Sequence, residues 1–231
     1  MPYRNAAYTI MVGNYGSGKT ELSIALARAR RKQVQGRVAL VDLDIVNPYF
    51  RSAEQAELLK AEGIEVFMPT FAMSTVDIPA LPAQIQSVFT SQYEAVFIDV
   101  GGDDTGAAAL GRYYPQLSAL GAELQTLYVV NSLRPLSGTE NDIVSMFRLI
   151  EKRMRIRPDF LVNNANLQNQ TTVQHLLDAQ LLLKKVSALL SIPIGMVAGE
   201  ARLRAMLPAD MQALYFSFVP LMKPEWLEDE A

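Results

Sequence analysis

The stretch Tyr8-Thr9-Ile10-Met11-Val12-Gly13-Asn14-Tyr15-Gly16-Ser17-Gly18-Lys19-Thr20-Glu21-Leu22 decides how the rest of the chain is read. Residues 8–12 are aromatic, β-branched or apolar without polar alternation, the pattern of a strand covered on both faces. Gly13 to Thr20 then spell G-x-x-x-x-G-K-[ST]. Glycines in such a loop let consecutive backbone N–H groups turn inward around a phosphate. The helix that follows points its positive N-terminus at the same anion. Lys19 is placed to bridge β- and γ-phosphates and to act in catalysis, and the Thr20 hydroxyl to ligate Mg2+. Leu22, Ala25, Leu26 and Ala29 give the helix one apolar face. The nucleotide-binding set is therefore Gly13, Asn14, Tyr15, Gly16, Ser17, Gly18, Lys19, Thr20 and Glu21.

Outward from this loop, short apolar runs alternate with helical patterns along the whole chain. Residues 8–12, 37–42, 65–68, 95–99, 126–130, 160–163 and 194–197 read as strands. Helices are expected over 19–31, 53–62, 82–91, 107–120, 138–154, 172–190 and about 208–214. Crossovers of this length force parallel pairing, so the fold class is α/β: a doubly wound, mainly parallel sheet of about seven strands flanked by helices. No Gly-, Ser- or Pro-rich linker divides the chain. One nucleotide-binding domain over 1–231 is expected, with its core at 8–200 and a short helix and acidic tail in 208–231.

Composition narrows the chemistry. Half of the 231 residues are hydrophobic and 19% are charged, an ordinary globular balance. There are no cysteines and one histidine, His175, which excludes disulfides, thiolate zinc sites, iron–sulfur ligation and Cys nucleophiles. A formal net charge of -3 offers no global basic field, so nucleic acid is not an expected partner. Arg28, Arg30, Arg31 and Lys32, and the group from Arg148 to Arg157, read as solvated basic helix ends. The first residues lack a signal-peptide shape, and no apolar run approaches the roughly 20 residues of a membrane span. A cytoplasmic protein without a membrane partner is expected.

A triphosphate site needs carboxylates, and two strand ends supply them. The run Ala95-Val96-Phe97-Ile98-Asp99 leads into Val100-Gly101-Gly102. Asp99 there holds Mg2+ through water and Gly102 senses the γ-phosphate; the competing reading is an Asp that caps the next turn. Asp44 follows the second strand, where ligands bind in open α/β sheets, and is the candidate to orient or deprotonate the attacking water. It also reads as a stabiliser of the turn before Asn47-Pro48. Asp42 reads as structural, and Arg51 as a surface arginine rather than a charge-neutralising one. Asp103, Asp104, Thr105 and Arg112 are the residues that a second substrate pocket would draw on.

These elements together resemble the MinD/ParA-type branch of the P-loop NTPases, the CobQ/CobB/MinD/ParA nucleotide-binding family. The phosphate loop, Asp42-Leu43-Asp44, Asp99-Val100-Gly101-Gly102, the run Val130 to Ser137 with Asp142, and Phe160-Leu161-Val162-Asn163 carry the likeness over residues 8–200. The resemblance implies a Mg2+-dependent ATPase whose nucleotide state switches contact with a partner protein, with a homodimer as one available assembly. It also implies that Asn163 contacts the base. The family's signature lysine, which reaches across the dimer, is replaced here by Asn14, so this position supplies no cross-subunit lysine. The segment Asn163-Asn164-Ala165-Asn166 stands where guanine-specific relatives carry Asn-Lys-x-Asp. An amide at Asn166 accepts one bond but presents an unwanted donor, which weakens guanine readout and favours ATP. An Asn-rich turn of purely structural purpose has the same appearance. An ATP-dependent small-molecule kinase or ligase of cofactor biosynthesis, and a binding module without turnover, stay open beside the switch.

Overall fold

A strand buried on both faces has no solvent side on which to place polar residues, and the apolar runs of this chain become such strands. The computed structural model describes residues 6–44, 53–67, 81–102 and 104–221. Within them lie strands β1 (Tyr8–Val12), β2 (Val38–Leu43), β3 (Ile64–Phe67), β4 (Ala95–Val100), β5 (Leu124–Val130), β6 (Phe160–Asn163), β7 (Ile194–Gly199) and β8 (Tyr215–Ser217). Every residue of β1, β2, β4 and β6 is buried. The helices are α1 (Lys19–Arg31), α2 (Ala53–Ala61), α3 (Leu81–Thr90), α4 (Asp104–Gly111), α5 (Tyr114–Ala119), α6 (Glu140–Met154), α7 (Val173–Leu190), α8 (Ala201–Arg204) and α9 (Ala209–Leu214).

The strands form one sheet in the order β3-β2-β4-β1-β5-β6-β7-β8, parallel throughout. On one face Leu22, Ile24, Leu26 and Ala27 of α1 pack with Leu59 of α2 against Met11, Leu40 and Phe97. On the other, Ile85, Leu110, Phe147 and Leu183, from α3, α4, α6 and α7, cover Ile10, Val41 and Ile98. A third group gathers Leu176, Val197, Leu203, Met211 and Tyr215 at the β8 edge. The result is a three-layer α/β/α arrangement. From β1 the chain departs to one side for β2, β3 and β4, and only later crosses to β5 on the other. Ligand crevices in open sheets lie at such a reversal, beyond the carboxyl ends of the strands.

Besides the short helix α8, three features depart from the sequence expectation. The sheet gains an eighth strand, β8, whose short edge run carries too little periodicity to register as a strand. The helix expected over 107–120 is two helices, because Pro115 lacks an N–H and its ring clashes with the carbonyl four residues back. That carbonyl belongs to Gly111, where α4 ends. The helix expected from 138 starts at Glu140, after Thr139 accepts the Asp142 N–H as its N-cap.

Candidate functional site

The loop between β1 and α1 is shaped by its own sequence. Gly18 has φ 84, in the left-handed region that favours glycine, and a Cβ there would lie 2.4 Å from Asn164 Nδ2. Lys19 is 6% exposed, and its Nζ donates to the Asn14 carbonyl at 3.1 Å, folding the side chain back over the loop. The same carbonyl accepts the Ser17 N–H at 3.2 Å. The Asn14 side chain turns outward from the loop: Nδ2 donates to the Leu136 carbonyl at 2.8 Å and to Ser137 Oγ at 3.3 Å. Asn14 thus ties the phosphate loop to the segment after β5 within one subunit. Glu21 is engaged elsewhere, its carboxylate accepting the Leu221 N–H, so that side chain anchors the C-terminal segment.

The acids arrive from the neighbouring strands. Register sets Asp99 of β4 beside Met11 of β1 on one side and Asp42 of β2 on the other. Thr20 Oγ1 donates to Asp99 Oδ2 at 2.5 Å, so the hydroxyl and the carboxylate read from the sequence meet. Asp99 is 1% exposed and its Oδ1 lacks a hydrogen-bond partner. Burial raises its pKa to about 6; the Lys19 charge and the Thr20 hydrogen bond oppose that rise, and the Asp44 charge adds to it. Two oxygen donors with an unsatisfied carboxylate oxygen suit Mg2+, a hard cation that takes few protein ligands and completes its shell with phosphates and water. Asp44 follows β2, with Oδ1 at 3.3 Å from where a Cβ on Gly101 would sit. Its N–H donates to Asp42 Oδ1 at 2.8 Å. Gly102 is in close contact with the loop: a Cβ there would lie 2.6 Å from Tyr15 Cα and 3.0 Å from Lys19 Nζ.

Asn163, expected at the base, is engaged by the protein in this geometry. Asn163 is fully buried; its Nδ2 donates to the Leu176 carbonyl and to Gln180 Oε1, both at 3.0 Å, and its Oδ1 accepts the Ala165 N–H at 3.3 Å. It bonds β6 to α7. The next residue, which the sequence reading passed over, touches the loop: Asn164 Nδ2 donates to the Ser17 carbonyl at 2.7 Å, and its Oδ1 is buried without a partner. Side chains alternate faces at a strand end, and only the packing tells which of two adjacent asparagines faces the loop. Asn166 closes its own turn, accepting from Gln168 N–H and from Thr171 Oγ1, and its backbone is bracketed by the buried Asn131 amide. Ser17 Oγ, Asp99 Oδ1 and Asn164 Oδ1 are all buried polar atoms without partners, and all lie on this loop or against it.

Of the residues named for a second substrate pocket, only Arg112 has a described side chain. That residue follows α4 at the end opposite Asp104, about 12 Å along a helix of this length. Asp103 and Arg51 lie outside the described residues, as do the Asp104 and Thr105 side chains and the acidic tail. Among the described residues no helix is long and apolar enough to cross a membrane.

No family model matches the sequence, and no curated protein matches it. Solved structures do resemble the fold. FlhF complexed with GTP/Mg(2+) superposes with a TM-score of 0.50 at 15% identity, covering 85% of this chain and 66% of that one. FtsY from Mycoplasma mycoides gives 0.53 at 15%, covering 86% and 62%. The signal recognition particle 54 kDa protein from Aeropyrum pernix K1 in complex with GDP gives 0.52 at 16%, covering 85% and 42%. This chain spans less than two thirds of each of these proteins' length. With its parallel eight-stranded sheet and its glycine loop between β1 and α1, the chain has the P-loop NTPase fold.

Proposed function

We propose that the protein binds a nucleoside triphosphate with Mg2+ and hydrolyses it, and that the bound nucleotide switches contact with a partner protein. The observation that carries this reading is the meeting of Thr20 and Asp99 at 2.5 Å beside Lys19, with Gly102 leaving no side chain between β4 and the loop. Lys19 and the loop N–H groups bind the phosphates. Thr20 and, through water, Asp99 would hold Mg2+, which when bound neutralises charge on the β- and γ-phosphates. Asp44, which lies beside Gly101 and whose charge acts on Asp99, would orient or deprotonate the attacking water.

ATP is the favoured nucleotide. Residues 163–171 contain no carboxylate, and the Glu200 carboxylate that follows β7 is paired with Arg202. Guanine readout through its N1–H and N2–H wants a free carboxylate. The fold neighbours complexed with GTP/Mg(2+) and GDP favour the second reading, GTP. Thermal shift with Mg-ATP against Mg-GTP at equal concentration, followed by phosphate release on the better binder, decides between them. Stabilisation by ATP with release of phosphate is the expected result. A larger shift with GTP moves the base assignment to guanine, and no shift with either removes the nucleotide reading.

A further inference from the structure

Among the cations outside the roles already assigned, Arg134 stands at the rim of the phosphate loop. It follows β5, and its Nε, Cδ and Cγ lie 3.4, 3.5 and 3.6 Å from the point that a Cβ on Gly16 would occupy. Gly16 is mid-loop, between Gly13 and Lys19, so phosphate is the part of a nucleotide closest to it. The backbone beneath Arg134 is fixed from several sides. Its N–H donates to the Asn131 carbonyl at 3.1 Å, and its carbonyl accepts the Ser137 N–H at 3.0 Å. Asn14 holds the Leu136 carbonyl, and Pro135 restricts Arg134 itself to the extended conformation seen, φ -94 and ψ 141.

The side chain is treated differently from other arginines of the protein. Arg28, Arg37, Arg157 and Arg202 are each committed to a carboxylate, of Glu62, Glu65, Glu151 and Glu200. Arg134 is exposed and makes no side-chain hydrogen bond or ion pair among the described residues. A guanidinium carries five donors in a planar fork that matches phosphate oxygens. Held on a fixed backbone beside Gly16, its guanidinium is presented at the face of the loop.

We propose that Arg134 is a ligand of the nucleotide's phosphates, acting within the same subunit. It supplies a second cation beside Lys19 in a loop where Asn14 occupies the lysine position. Asn14 serves that role indirectly, by fastening the Arg134 segment to the loop. The proposal rests on the nucleotide reading above, and its test separates the two.

The test measures triphosphate affinity calorimetrically, with Mg2+, for the full chain and for Arg134→Ala, Arg134→Lys and Lys19→Ala, at about 50 mM and about 500 mM salt, a range over which screening of exposed charge changes strongly. Arg134→Ala should weaken binding about tenfold at the lower salt, with the loss shrinking as salt rises. Arg134→Lys should recover part of the affinity, and the melting temperature without nucleotide should stay at the wild-type value. Unchanged affinity in Arg134→Ala overturns the proposal. So does a loss of equal size at both salts, which would mean stacking on the base rather than pairing with phosphate. If Lys19→Ala also binds like wild type, or wild type binds no triphosphate, the nucleotide reading itself has failed, and the arginine proposal with it.

Discussion

Asp99 and Asp44 carry one charge each and belong to one site, yet their surroundings give them different work. Asp99 is buried against Thr20 with its pKa raised from an ordinary value near 3.8 to about 6. Between about pH 4 and pH 6 the folded protein therefore keeps a proton that the unfolded chain has released. Stability from this group is present below that window, falls as pH climbs through it, and stays lower above it. Without Mg2+ and nucleotide, Asp99→Asn should be more stable than wild type at pH 7, by at most on the order of 3 kcal/mol, and should lose this slope. Denaturant titrations of both proteins at pH 4 to 8 check it, and a less stable Asp99→Asn at pH 7 contradicts it. With ligand the order reverses: Asp99→Asn should lose the Mg2+ dependence of nucleotide binding. Asp44→Asn keeps its size but loses charge and basicity. It should bind Mg-triphosphate normally and turn over about 10²-fold or more slowly, the scale of a general base. Equal rates for Asp44→Asn and wild type, measured with any required partner present, reduce Asp44 to a turn residue.

At the scale of the element, the end of β6 shows how one strand divides its duties. Asn163 and Asn164 are adjacent and identical in type, but one bonds α7 and the other pins the phosphate loop. Asn163→Ala removes the amide partner of two buried acceptors and should cost about 1–3 kcal/mol of stability while leaving the preference between ATP and GTP unchanged. Asn164→Ala releases the Ser17 carbonyl and should weaken triphosphate binding as well as stability. Chemical denaturation paired with nucleotide competition on both variants reads the difference. A changed base preference in Asn163→Ala would restore it to the base site. The sequence exposed the asparagine pair but not its orientation, because the identity of the packed neighbour, not the local pattern, sets which face each side chain meets.

Across the whole molecule, stability and function lie on different layers. Phe147 of α6 is fully buried and meets Tyr128 edge-to-face with ring centroids 5.1 Å apart. Its replacement by Ala should cost about 3–5 kcal/mol in denaturant unfolding, since a deep aromatic site collapses poorly. Any nucleotide affinity that survives in folded Phe147→Ala should be near wild type. Lys19→Ala should do the opposite, abolishing triphosphate binding while unfolding as one cooperative transition. Matching affinities for Lys19→Ala and wild type would sink the phosphate-loop assignment.

What the sequence determined by itself was whatever is written in contiguous residues. The loop from Gly13 to Thr20 follows from glycine's conformational freedom and one lysine, the parallel sheet from unalternating apolar runs, and Asp99 from its place at the end of one of them. The tertiary structure alone decided the rest. It chose Asn164 over Asn163 to face the loop, turned Asn14 onto Leu136 and Ser137, and laid Arg134 along Gly16. It added β8 to the edge beside β7. Each of these joins residues distant in the chain, or depends on which way a side chain faces. Neither is fixed by local propensity; both follow from the packing of helices on a sheet whose strand order the local pattern leaves open.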